Sequence, residues 1–133
     1  MAGFSNDTEN SLLNYLFAGS AISYANGNFY VSLHTGDPGE TGANEVATSV
    51  AGYARKNHTS WTTSTAGTLS NNGDITFDTI TDASDSATVT HVGIWTAASS
   101  GTFICGGAVT TSKTIALNDI PKILPGELDI SLD

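Results

Sequence analysis

An all-β fold, an antiparallel β-sandwich or jelly-roll-like barrel carrying one short N-terminal α-helix, is the architecture this sequence predicts. Ser and Thr fill 34 of 133 positions, while Asp, Glu, Lys and Arg together make up only 13%. Thr is β-branched and favours strands; Ser favours turns. Fourteen glycines supply tight corners. About seven or eight short apolar–polar alternations, each bounded by turn residues, follow a single helical pattern. Many short strands behind one helix imply two packed sheets or a closed one.

A chain of 133 residues suits one domain, here residues 1–133. At that length roughly two thirds of the unfolded surface is hidden on folding. The helix is expected over about residues 7–18. Asn6 is placed to cap it, with Glu9 three residues on as the reciprocal partner. Leu12, Leu13, Leu16 and Phe17 form one apolar stripe, expected to pack on the sheet or on a neighbouring subunit. Gly19 is placed to end the helix. Asp7 and Glu9 sit at the favourable end of its dipole.

Asn26-Gly27 marks a turn before "FYVSLHT". There Phe29, Val31 and Leu33 alternate with Tyr30, Ser32 and His34, which predicts a strand with one buried face. A loop over about residues 36–52 follows, with Pro38 and no strong period. It is longer than most connections in compact domains, and loops of that length commonly serve function or a partner. "GYARKNHTSW" predicts a second strand with Tyr53, Arg55, Asn57, Thr59 and Trp61 on one face. "GTLSNNGDITFDTI" reads as two strands joined by a tight turn at Asn71-Asn72-Gly73, with Ile75 and Phe77 pointing together.

"DASDS" is a polar loop. "ATVTHVGIWTA" is a strand with Val92 and Ile94 on one face. "TFICGGAVTTSKTIAL" is another, with a bulge suggested at Gly106-Gly107. The end, "GELDISLD", alternates throughout. Leu128, Ile130 and Leu132 share one face; Glu127, Asp129, Ser131 and Asp133 share the other.

The net charge of −9 disfavours nucleic acid and anionic membrane surfaces as partners, because both need clustered bases. The single cysteine, Cys105, excludes an internal disulfide and reads as a small buried hydrophobe. The first twenty residues lack the charge pattern and apolar core of a signal peptide, so no export by a cleaved signal is expected. No apolar run reaches the length of a membrane span.

His34, His58 and His91 lie alone in separate strands, which is no zinc-ligand spacing. Asp37, Glu40 and Glu45 are hard oxygen donors, but their spacing is not that of a calcium loop, and a turn with solvated acids is favoured. No strained Ser elbow, marked carboxylate pair or phosphate-cradling loop appears. Neither a catalytic set nor a cofactor is therefore expected. Arg55 is expected to reach back to the long loop and clamp it, with Glu45 as partner and Asp37 as the alternative. His34, Asp37, Glu40, Glu45, Tyr53 and Arg55 together make the structural or interface motif.

The order of segments adds a resemblance. "SLLNYLFAGSA", "FYVSLHTGDPGETGANEV" and "GYARKNHTSW" are followed by "ATVTHVGIWTAASSGTFICGGAV" and "TSKTIALNDIPKILPGELDISLD". Together they resemble a family of small tailed-phage virion proteins, tail-fibre-like or head-decoration-like, with an LHT-x-DPGETG…GYAR core. Gly36 stands where the family pattern has Ala, and "NHTSW" replaces a more aromatic strand.

The resemblance implies a non-enzymatic virion structural protein, foremost a capsid decoration or cement protein. The alternative is a tail-fibre, tail-tip or baseplate protein that contacts the host. A contrasting class is a small carbohydrate-binding or glycan-hydrolysing tail module, with Trp61, Trp95 and several Tyr stacking on sugars. The implied partners are the major capsid protein or other virion proteins and further copies of the chain. The implied location is the virion, assembled in the host cytoplasm.

Overall fold

The computed structural model describes residues 3–81 and 86–132. The expected polar loop at residues 82–86 lies almost wholly outside them, and so does Asp133. In chain order the elements are β1 (Gly3–Phe4), α1 (Asn6–Ala18), β2 (Phe29–His34), β3 (Lys56–His58), β4 (Thr68–Ser70), β5 (Ile75–Thr76), β6 (Ala87–Trp95), β7 (Phe103–Ile115), β8 (Lys122–Ile123) and β9 (Asp129–Ser131). A five-stranded sheet runs β1-β7-β6-β2-β3, and two small ladders pair β4 with β9 and β5 with β8. Every pairing is antiparallel. The all-β class with one N-terminal helix holds; the sheets do not close into a barrel.

Parity along the central strands assigns two faces. Val31 and Leu33 of β2 oppose Ile94 and Val92 of β6, and Cys105 of β7 opposes Ile94. These residues belong to one apolar cluster with Val46, Val50, Tyr53, Ile75, Phe77, Ile80, Val89, Ile115 and Leu128. The opposite face carries Ser32 and His34 on β2, Gly93 and Trp95 on β6, and Phe103 and Gly106 on β7.

The helix begins one residue earlier than expected. Ser5, not Asn6, is its N-cap: its Oγ accepts from Thr8 N at 3.3 Å. Ser5 wins because its backbone is extended and fastened to the sheet, with Ser5 N donating to Ile104 O at 2.9 Å. Gly19 ends the helix in the left-handed conformation, at φ 68°.

The apolar stripe does not pack on the sheet. Leu13, Leu16 and Phe17 are 56%, 67% and 83% exposed, and Thr8 is the buried residue of the helix. Among the described strands the helix packs chiefly on β7, near its own start.

Several strands differ from expectation. β2 is buried on both faces from Val31 to His34, because the long loop covers the side that alternation assigns to solvent. The strand expected over "GYARKNHTSW" shrinks to Lys56–His58, and Trp61 makes an isolated bridge with Asn71. β4 and β5 do not form a hairpin; each pairs with a segment near the C-terminus.

Asn71 is the reason. It is buried, its Nδ2 donates to Gly73 O and Leu124 O, and its Oδ1 accepts from Leu128 N. A turn residue that spends its side chain on residues 124–128 ties that turn to the C-terminus.

Gly106 and Gly107 stay in regular register with Gly93 and Val92, so the suggested bulge is not there. The irregularities fall between Ile94 and Trp95 and between Val89 and His91. The terminal strand is short. Leu128 is buried and Ile130 packs against the core cluster, but Leu132 is 56% exposed.

Candidate functional site

The loop at residues 36–52 returns to the sheet and completes it. β3 pairs β2 only as far as Val31. Beyond that point Leu33 O accepts from Val46 N at 2.9 Å, and Thr35 N donates to Asn44 O at 2.8 Å. Glu45 bridges His34 in antiparallel register. Leu33 N, left without a strand partner, donates to the Tyr53 hydroxyl at 3.1 Å. Backbone groups at the end of a buried strand must be paired, and the loop supplies the partners.

Arg55 closes the loop. Its Nε donates to Glu45 Oε1 at 2.9 Å and its Nη2 to Glu45 Oε2 at 2.7 Å. Its Nη1 donates to Ala97 O at 3.1 Å and Ser100 O at 2.8 Å, in the turn between β6 and β7. Its face stacks on Trp95, 3.6 Å from the ring centroid. The partner is thus Glu45 and not Asp37.

Tyr53 Oη donates to the same Glu45 Oε1 at 2.9 Å. Burial alone would raise the Glu45 carboxyl, but the hydrogen bonds from Arg55 and Tyr53 more than offset it and hold the group below its ordinary value. Burial pushes the Tyr53 hydroxyl well above its ordinary value.

Under the loop lies a second network. His34 Nδ1 is 2.7 Å from Ala43 O; a carbonyl only accepts, so Nδ1 carries the proton. His34 Nε2 then accepts from Ser32 Oγ at 2.7 Å, and Ser32 Oγ accepts from Trp95 Nε1 at 2.9 Å. Burial lowers the His34 pKa and favours this neutral tautomer. Ser32 and His34 are both 0% exposed. The Ser–His contact has the length of a nucleophile–base pair. Its third partner, however, is a backbone carbonyl rather than a carboxylate, and the hydroxyl is sealed from solvent.

Close approach needs glycine here. A Cβ on Gly93 would lie 2.6 Å from His34 Nε2 and 2.7 Å from Ser32 Oγ. Gly42, at φ 73°, sits where any side chain would overlap the Trp95 ring.

The other two loop acids are engaged elsewhere. Asp37 Oδ1 accepts from Gly39 N at 2.9 Å, forming the turn after Pro38. Glu40 Oε2 accepts from Asn6 N at 2.6 Å, at the first turn of α1. A carboxylate there meets unpaired N–H groups and the positive end of the dipole. The structure therefore unites His34, Glu45, Tyr53 and Arg55 in one cluster. It sends Asp37 and Glu40 to different tasks in the same loop.

Sequence reasoning missed Ser32, Trp95 and the carbonyls of Ala97 and Ser100. The Ser-x-His spacing on one strand face was the available signal for Ser32; nothing local pointed to the rest. It also missed that His34 and His91 are cross-strand partners. Among the described residues no three His, Cys, Asp or Glu side chains are placed to hold a metal ion.

Trp95 is buried under Arg55, and Trp61 packs edge-on against His58 with ring centroids 4.9 Å apart. Trp95 therefore offers no free face of the kind a sugar stacks on, while Trp61 is part-exposed. Cys105 is buried, which pushes its thiol up to about 12.

A Thr-rich antiparallel β module whose longest loop is clamped to its sheet is the class of protein that fold and site define. Residues 3–131 match the family described as podophage GP4 fiber I protein gp80, and the chain belongs to that family. It is accordingly a phage virion structural protein of the fibre kind, in agreement with the tail-fibre-like side of the resemblance. No curated protein matches the chain.

Proposed function

We propose that this chain is a non-enzymatic module of the phage fibre, acting by surface contact with other virion proteins and with further copies of itself. The observation that carries the reading is the state of its chemically able side chains. Ser32 and His34 are sealed, Glu45 is locked to Arg55 and Tyr53, and Cys105 is buried with its proton held on. Nucleic acid is disfavoured as a partner by the net charge of −9, and among the described residues no helix is long and apolar enough to cross a membrane.

One observation favours the capsid-decoration role as a second reading. These 133 residues hold no repeat and no heptad pattern with which to build a long shaft. Cryo-electron microscopy of purified virions labelled with an antibody to this chain separates the two. Label on the fibres is the expected result. Label on capsid facets alone would overturn the fibre reading in favour of decoration.

A further inference from the structure

We infer that the C-terminal half of α1 is a self-association surface, through which three or more copies of this chain join by packing their helix tips around a common axis. This deepens the proposed function by naming a partner, but it does not depend on where in the virion the chain sits.

The helix has 13 residues and is held at one end only. Ser5 caps it, Ser5 Oγ also donates to Phe103 O at 2.8 Å, and Glu40 takes the Asn6 N–H. Past that base Leu13, Tyr15, Leu16 and Phe17 are 56%, 57%, 67% and 83% exposed. A helix this short is marginal in water without an apolar face to bury. Fastening its base with caps while leaving its tip bare is physically sensible only if something covers the tip.

Three properties point to further copies as the cover. The first is charge. From Asn10 to Gly36 the sequence has no Asp, Glu, Lys or Arg, in a chain whose net charge is −9. A basic partner finds no acid on this tip to pair with, and an anionic bilayer is repelled by the whole molecule. An uncharged apolar tip is matched by another like itself, with no like charges brought together.

The second is area. The four exposed side chains offer on the order of 500 Å² per chain, at the upper end of the largest patch on a typical monomer. Two such tips bury on the order of 1,000 Å², close to the ~1,200 Å² at which stable interfaces begin.

The third is arc. At about 100° per residue, Leu12, Leu13, Tyr15, Leu16 and Phe17 sweep roughly 200° of the helix surface, twice the stripe that one neighbour covers. Such a tip is served by a neighbour on each side, as in a closed ring of at least three helices.

The test uses the full chain, by light scattering after size exclusion and by native mass spectrometry over a wide concentration range. The wild type is expected at the mass of three or more chains. Leu16→Asp/Phe17→Asp is expected to be monomeric with an unchanged strand signal in circular dichroism, since both side chains are exposed. Phe17→Ser alone is expected to weaken association by about tenfold or more. Ile120→Asp, at an exposed apolar position outside the helix, is expected to leave the assembly intact.

A wild type that stays monomeric or dimeric overturns the inference. So does an assembly that survives Leu16→Asp/Phe17→Asp. Binding of the wild type to phosphatidylcholine vesicles as a monomer overturns it in favour of a lipid cover. The virion label of the preceding section can fail without touching any of these readings.

Discussion

Arg55 lies flat on Trp95, its guanidinium carbon 3.6 Å from the ring centroid, while its edge grips Glu45 through two nitrogens. One side chain thus joins three pieces of chain distant in sequence: the long loop, the sheet, and the turn that delivers β7. The Arg55 side chain is 9% exposed, so screening by water is weak.

Removing one member of the clamp should leave the other part-buried with its charge unpaired. Arg55→Ala is expected to cost roughly 3 kcal/mol in urea unfolding. Arg55→Lys should recover only part of this, because an ammonium cannot make the fork or the stack. Glu45→Ala is expected to speed amide exchange at Thr35 and Val46, whose N–H groups bond across the loop and β2, more than elsewhere. Uniform exchange across the sheet would show that the clamp does not hold the loop.

Gly93 is required for contact distance, not for flexibility. Gly93→Ala is expected to cost about 2–3 kcal/mol, since Ser32 and His34 are fixed by their own hydrogen bonds and cannot give way. Gly39→Ala meets open space and suffers only its positive φ of 56°, which is expected to cost about 1 kcal/mol. Equal losses at the two sites would rule out the close-packed floor beneath the loop.

Acid should weaken the fold in two stages. Burial sets the folded His34 pKa below its ordinary 6.5, so the unfolded chain binds the proton first. Stability is then full above that value and falls as pH drops below it, by up to about 1.4 kcal/mol per pH unit. Glu45 has a folded pKa below its ordinary 4.5, so its contribution is present above that value and is lost as pH falls through the folded one. Urea midpoints followed from neutral pH down to about pH 4 should show the first decline in wild type and not in His34→Gln.

The helix base should respond to two unconnected residues. Ser5→Ala removes the cap and Glu40→Ala removes the carboxylate at Asn6 N, each at an expected cost of about 1 kcal/mol. Loss of helical ellipticity with an unchanged strand signal is the expected readout.

The loop acids are engaged with backbone N–H groups and with Arg55. Calcium or a chelator is therefore expected to leave the thermal midpoint unmoved. A rise with calcium that Asp37→Asn or Glu40→Gln abolishes would assign them a metal instead.

The local grammar of the chain was readable in advance. β2 begins where its alternation predicted and ends one residue before the expected Thr35, Gly19 closes the helix, and Arg55 meets Glu45 because a lone arginine beside a long acidic loop has few other partners. Periodicity and turn chemistry act over a few residues, so one sequence suffices to read them. The errors are of another kind. Alternation assigned Ser32 and His34 to solvent, and of the two covers expected for the helix stripe the sheet is not the one that meets it. Ser32 and His34 are buried because residues 36–46 fold back over Gly93 and Trp95. The stripe is bare because β1 fastens the helix only at its base. Asn71 was read as a hairpin turn, yet it serves the C-terminus 53 residues away.

Composition and period thus determined the class of fold, the order of its elements and the chemistry available to the loop. Which face each strand buries, which carbonyls Arg55 satisfies, and whether a serine beside a histidine meets water were decided only by tertiary structure. Each depends on chain from elsewhere arriving to exclude solvent, and burial is a property of the assembled surfaces rather than of any one segment.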